Sequence, residues 1–361
     1  MHPHNTLGWS AFFGDQLQTH ERALEPVRIS ADVGQSYSVL NLQGESKTIL
    51  APYVSGLERP AVGDWLLLRP GPVPAVERRL DRRSVLVRQV AGRASAPQVI
   101  AANLDTVFIV TTVGADFNPR RNDRYLAAVS GNGIEAVIVL NKADLDPENT
   151  AHYLARLPRN VPTVFTSALM KTGLEGLLPW VSPGRTVGLI GSSGVGKSSL
   201  INGLLHEDRQ DLGEVRVRDE QGQHTTTRRE LMTLPSGAVL VDTPGMRELG
   251  LWDSKGISAA FSEIDALVDR CQFRDCEHYS EPGCAVLAAI ESGELSGERL
   301  DSWYTLQREA QRHHGRRDVV AKREKRKSEL KSRRTVLKRD RKRAARQRRY
   351  SNRTGVEDWT T

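Results

Sequence analysis

At 361 residues the chain is longer than one typical domain and suits two or three of roughly 100–150 residues each. Hydrophobic residues make up 39% and charged residues 26%, close to the soluble globular average, which argues against disorder throughout and against a membrane protein. The net charge of +7 is unevenly spread: residues 308–350 hold 20 Lys/Arg against 5 Asp/Glu, so a tail of +15 is attached to a body of −8. Such a tail seeks polyanions, with nucleic acid favoured over lipid.

No stretch approaches the roughly 18 uncharged residues of a transmembrane helix, and Met1–Ser10 has no basic flank leading into an apolar segment. A cytoplasmic location with no membrane contact is expected. Residues 1–26 show no convincing period and read as an N-terminal extension with at most one short helix. Residues 27–97 hold short β-branched segments, among them Tyr37–Leu42, Lys47–Leu50, Asp64–Leu68 and Ser84–Arg88, separated by Gly, Pro and Asn/Asp turns. They predict a small β-barrel, of OB-fold or SH3-like type.

From residue 98 to 252 apolar strands alternate with helical patterns. Thr106–Thr112, Ala136–Leu140, Val161–Thr166, Thr186–Ile190 and Ala238–Val241 read as buried parallel strands, with helices expected near Pro119–Gly131, Glu148–Leu157 and Lys197–Leu205. This is the pattern of a doubly wound α/β domain. Residues 253–310 turn helical around a cysteine cluster and form a third unit, and 311–361 are a Lys/Arg-rich tail.

Thr186–Ile190 runs straight into Gly191-Ser192-Ser193-Gly194-Val195-Gly196-Lys197-Ser198-Ser199, a phosphate-binding loop G-x-x-x-x-G-K-S followed by a helix. Its backbone N–H groups converge on phosphates, Lys197 reaches the outer ones, and Ser198 ligates Mg²⁺ carried in with the nucleotide. Asn141-Lys142-Ala143-Asp144 closes another strand with the guanine-reading N-K-x-D pattern. The Asp144 carboxylate accepts two N–H donors that adenine does not offer. Ser167-Ala168, ending the next strand, supports the base from its other side. Asp242-Thr243-Pro244-Gly245 is a D-x-x-G switch, with Asp242 near Mg²⁺ and the Gly245 amide sensing the terminal phosphate. In the polar loop Gly222–Arg228, either Thr226 or Thr227 completes the Mg²⁺ sphere. Met246 stands where many GTPases carry a water-orienting Gln, which leaves His224 as the candidate for that task, beside the plain reading of a surface histidine. The expected catalytic set is therefore Lys197, His224 and Gly245, with weak intrinsic turnover.

These motifs occur in permuted order, base-reading half first, so the GTPase domain is circularly permuted with its old termini joined through Pro179–Gly184. Cys271-x4-Cys276-x-His278-x5-Cys284 gathers the chain's three cysteines and one histidine within fourteen residues, the donor set of one closed, structural Zn²⁺ site.

Taken together, Gly63-Asp64-Trp65, Asn141–Asp144, Gly191–Ser199, His224–Thr227, Asp242–Gly245 and the segments Cys271–His278 and Glu281–Cys284 closely resemble the ribosome small-subunit-dependent GTPase A family of bacteria over about residues 30–310. The resemblance implies an OB-fold, a permuted GTPase and a zinc domain that dock on the small ribosomal subunit and its rRNA, assist late maturation, and hydrolyse GTP to GDP under stimulation by the subunit. A monomer is expected. The extension and the tail fall outside the shared pattern. An RNA-binding scaffold in which nucleotide is structural is the alternative, and a GTPase of RNA modification or transport ranks third.

Overall fold

Tyr37, Val39 and Asn41 alternate with Ser36, Ser38 and Leu40, and a pleated strand turns that alternation into one buried and one half-buried face. In the computed structural model, which describes residues 7–50, 59–72, 74–89, 97–205, 230–242 and 255–312, this strand belongs to an N-terminal β unit. A short helix α1 (Ala11–Gly14) precedes it. The strands are β1 (Glu25–Asp32), β2 (Ser36–Asn41), β3 (Ser46–Leu50), β4 (Trp65–Arg69), β5 (Ala75–Arg79), β6 (Val85–Gln89) and β7 (Pro97–Ala102). β1 pairs antiparallel with both β2 and β4, β3 extends from β2, β5 from β4, and β6 pairs with β7. The single bridge Val62↔Ala101 ties the β6–β7 ribbon back to the rest.

The segment before β1 shows no helical period because it docks through a few large side chains. Leu7 and Phe13 are buried, and Trp9 meets Trp65 edge-on with ring centroids 4.8 Å apart. Arg28, fully buried on β1, reaches the Gly63 and Asn103 carbonyls at 3.2 Å, the Leu7 carbonyl, and the Thr186 hydroxyl at 2.9 Å. Burial lowers its pKa to about 10, against the pull of Asp105. Thr186 opens the strand that leads into the phosphate loop, so this guanidinium is a strut between the β unit and that strand.

The α/β part is built from β8 (Thr106–Thr112), α2 (Pro119–Val129), β9 (Glu135–Asn141), α3 (Thr150–Ala155), β10 (Thr163–Phe165), β11 (Thr186–Ile190), α4 (Lys197–Leu205), β12 (Glu230–Thr233) and β13 (Val239–Asp242). Five strands run parallel in the order β10-β9-β8-β11-β13, and β12 joins β13 antiparallel. β8 and β11 are buried along their whole length, as strands covered on both faces are. β12 then bridges to β1 at Ala31↔Glu230, which makes the two units one continuous sheet. β12 escapes a sequence reading because Glu230-Leu-Met-Thr233 is four residues with one buried side chain. Helix α3 is shorter than its predicted span, since Pro147 starts a 3-10 turn over Pro147–Asn149 just before it.

The C-terminal part is helical: α5 (Lys255–Ala260), α6 (Ser262–Val268), α7 (Ala285–Glu291) and a helix over 297–310 surround the cysteine cluster. No helix among the described residues is long and apolar enough to cross a membrane. The predicted tail 311–361 lies outside the described residues except for its first two positions.

Candidate functional site

In a parallel sheet the loops at the carboxyl ends of the strands form the ligand crevice, and every described motif residue stands at that edge. Asn141 closes β9, Ser167 and Ala168 follow β10, Gly191 follows β11 and Asp242 closes β13. Ordered across the sheet, Ser167–Ala168 and Asn141 come first, Gly191 lies two strands beyond Asn141 and Asp242 one strand further.

Asn141 is the joint of this assembly. It is 1% exposed. Its Nδ2 donates to the Val195 carbonyl of the phosphate loop at 2.9 Å, while its Oδ1 accepts from the Ala168 amide at 3.0 Å and the Thr166 hydroxyl at 3.2 Å. One side chain thus locks three motifs that are up to 54 positions apart in the chain. Gly196 leaves room for it: a Cβ there would lie 2.3 Å from Asn141 Nδ2. Lys142 adopts a left-handed φ of 60°, which turns the chain so that Asn141 points inward and Asp144 stands exposed on the 3-10 turn Ala143–Leu145. Ser167 pairs with Thr172 through two backbone hydrogen bonds, and its hydroxyl accepts from the Met170 amide at 3.2 Å, closing the loop after β10.

Gly191 has φ 152°, and a Cβ on it would meet the Val110 carbonyl at 2.3 Å, so the loop leaves β11 hard against β8. Lys197 folds over the loop and donates to the Gly191 and Ser192 carbonyls at 2.8 and 2.7 Å. Ser193, Gly194 and Ser198 are exposed, and Ser199 starts the packed part of α4 ahead of buried Leu200. Residues 206–229 and 243–254, which include His224, Thr226, Thr227 and Gly245, lie outside the described residues.

The second site is metal-like. The ligand atoms of Cys271, Cys276, His278 and Cys284 all lie within 4.8 Å of one another. His278 Nδ1 is 3.6 Å from Cys271 Sγ and 3.5 Å from Cys284 Sγ, and those two sulfurs are 4.0 Å apart. A tetrahedral zinc with ordinary Zn–S and Zn–N bonds places S and N about 3.6 Å apart and two sulfurs about 3.8 Å apart. The donor set and its spacing therefore suit a tetrahedral dication. Burial, with its sulfur neighbours, pushes the Cys276 thiol up to about 11, a penalty that a bound cation removes.

Glu281 supports this cluster without being one of its four donors. Its carboxylate accepts from the amides of Glu277 and Tyr279 at 2.9 Å and of Ser280 at 3.0 Å, and these donors, Ser280 first, hold its pKa down to about 2. It cages the loop that carries His278, which itself sits at φ 60°. The pattern Glu281-Pro-Gly-Cys284 is visible in sequence, but a carboxylate caging a loop has no spacing signature.

Fold and sites together define a circularly permuted phosphate-loop GTPase with an N-terminal β unit and a helical Cys₃His module. The RsgA GTPase family profile matches residues 79–252. Small ribosomal subunit biogenesis GTPase RsgA of Opitutus terrae is 41% identical over 327 residues, covering 84% of this chain and 89% of that protein. The proteins of the same name from Mesorhizobium japonicum and Methanosarcina acetivorans are 44% and 49% identical, covering 84% and 69% of this chain and 89% and 69% of their own lengths. The crystal structure of YjeQ from Thermotoga maritima superposes with a TM-score of 0.61 at 26% identity, covering 79% of this chain and 99% of that one. YloQ, a circularly permuted GTPase, shares the fold with a TM-score of 0.60. The chain belongs to the RsgA GTPase family. An ABC transporter profile also matches residues 175–358, a span that begins after Asn141–Asp144 and shares the phosphate loop.

Proposed function

We propose that this protein hydrolyses GTP to GDP and phosphate while acting in the late maturation of the small ribosomal subunit, bound to its rRNA and stimulated by the subunit. The observation that carries the reading is Asn141, which joins a guanine-reading turn, its Ser-Ala partner and a phosphate loop in one hydrogen-bonded unit. Asp144 selects guanine, with Asn141, Lys142, Ser167 and Ala168 framing the base. Gly191–Ser199 cradles the phosphates. Ser198, Asp242 and either Thr226 or Thr227 hold the Mg²⁺, Gly245 senses the terminal phosphate and His224 orients the attacking water. Cys271, Cys276, His278 and Cys284 hold one structural Zn²⁺. The protein acts as a cytoplasmic monomer, and the basic tail adds salt-sensitive affinity for RNA.

The test is GTP turnover by the purified protein alone and with small subunits, large subunits or free RNA, at low and physiological salt. Strong stimulation by small subunits only is the expected result. Turnover that stays slow in every case, together with equal RNA affinity in GTP and GDP, replaces this reading with an RNA-binding scaffold.

A further inference from the structure

Ser192, the residue after the first glycine of the phosphate loop, is gripped from two sides. Its carbonyl accepts from Lys197 Nζ at 2.7 Å, inside the loop, and its hydroxyl accepts from Arg121 Nη1 at 2.9 Å, outside it. Arg121 belongs to another element altogether, the first turn of α2. That turn is set in place by Asn118, whose side chain caps the helix by accepting from the Arg121 amide at 3.0 Å, and by Pro119 at the start of the helix. The strand before it, β8, lies between β9, which carries Asn141, and β11, which carries the phosphate loop.

Arg121 differs from its helical neighbours in how its charge is used. Arg120 pairs with Asp301 and Arg124 with Glu309, whereas Arg121 is exposed and makes no ion pair among the described residues. A guanidinium carries five N–H donors in a planar fork, and a single serine hydroxyl uses one of them. Arg121 lines, together with Asp116, Ser192, Ser193 and Val195, a cleft of 370 Å³ beside the loop.

We propose that Arg121 is a further substrate-contacting residue of this GTPase, donating from α2 to the terminal phosphoryl oxygens of GTP. The inference rests on the phosphate-loop reading given above. The N-terminus of α4 and the loop amides hold the inner phosphates, and Lys197 spans the outer two from within. A cation on the lip at Ser192–Ser193 therefore meets the group that projects furthest from α4. Arg121 transfers no proton and forms no bond to phosphorus. Water adds to the γ-phosphorus, the bond to the β–γ bridging oxygen breaks, and the guanidinium neutralises charge gathered on the phosphoryl oxygens. It thereby favours GTP over GDP, a choice the base-reading residues do not make.

The test uses the full chain with Arg121→Ala, Arg121→Lys and the neutral, helix-compatible Arg121→Gln. Affinities for GDP and for a non-hydrolysable GTP analogue are measured by fluorescence titration, hydrolysis under single-turnover conditions, and folding by thermal melts. For Arg121→Ala and Arg121→Gln the expected result is GDP affinity within about twofold of wild type, with analogue affinity and hydrolysis each lowered about tenfold, the loss of one charge-assisted hydrogen bond. Arg121→Lys recovers part of both. Equal weakening toward GDP and analogue, or no change in any of the three quantities, overturns the proposal. A wild-type protein that binds no guanine nucleotide, or one indifferent to Lys197→Ala, overturns the phosphate-loop reading instead, and that outcome is visible before any Arg121 variant is compared.

Discussion

Arg299 of the C-terminal helix 297–310 donates through Nη1 to Asp123 on α2, with the two side chains 6% and 3% exposed. The same guanidinium donates through Nε to Glu263 at 2.7 Å, caps the Ala260 carbonyl at 2.5 Å and lies 4.0 Å over the Phe261 ring. Burial pushes the Asp123 carboxyl above its ordinary value, and Arg299 is the main force pulling it back. Removing one partner leaves an uncompensated buried charge. Arg299→Ala is expected to cost about 3–5 kcal/mol in urea unfolding. The joint replacement of Asp123 and Arg299 by apolar residues is expected to cost much less than the sum of the single changes, and an additive double-mutant cycle would refute the coupling.

Variants of Asn141 and Asp144 separate the structural part of their shared motif from its expected nucleotide-selecting part. Asn141→Ala leaves the Ala168 amide and the Val195 carbonyl without their buried partner, so a loss of about 2–4 kcal/mol is expected in denaturant unfolding without nucleotide. Asp144, exposed and structurally undemanding, should behave oppositely. Asp144→Asn is expected to leave stability unchanged and to move nucleotide preference from GTP toward XTP, read by competition binding. Retained guanine preference would remove Asp144 from the base site.

The metal module yields a prediction graded by distance from the ion. Cys276→Ala should lose the metal outright, with about one zinc per wild-type chain measured by elemental analysis. Glu281→Ala keeps all four donors but releases the amides of Glu277, Tyr279 and Ser280 that hold the His278 loop. Outer residues that orient ligands typically tune metal affinity by about 10–100-fold, and that loss is expected in competition with a chelator. Wild-type affinity in Glu281→Ala would make its cage incidental to the metal.

Those two residues also mark where a sequence can and cannot be read. Asn141 and Cys276 sit in short motifs of fixed spacing, which are visible without coordinates. β8 and β11 are legible at their full bounds because each is a buried, mainly apolar run, and α4 because it follows directly on the G-x-x-x-x-G-K-S pattern. Arg28, Arg299 and Glu281 act on partners as much as 176 positions away or on backbone amides, and no periodicity records such contacts. The docking of Leu7, Trp9 and Phe13 was invisible for a similar reason: three large side chains on an irregular segment have no repeat to detect.

The pairing of that N-terminal segment with the β unit carries a pH signature. Glu21 accepts two hydrogen bonds from Arg78 on β5, at 2.8 and 2.7 Å, and one from the Gln18 amide at 2.9 Å. These partners, the Arg78 hydrogen bond foremost, hold its pKa down to about 2 from an ordinary 4.5. A depressed carboxyl stabilises the folded state fully above its unfolded value and loses that contribution as pH falls through its folded value. Glu21→Gln should therefore lower the urea midpoint at neutral pH, and the gap to wild type should close progressively between about pH 5 and pH 2. A gap that stays constant over that range would mean that the glutamate acts by shape, and that Arg78 does not hold the N-terminal segment through charge.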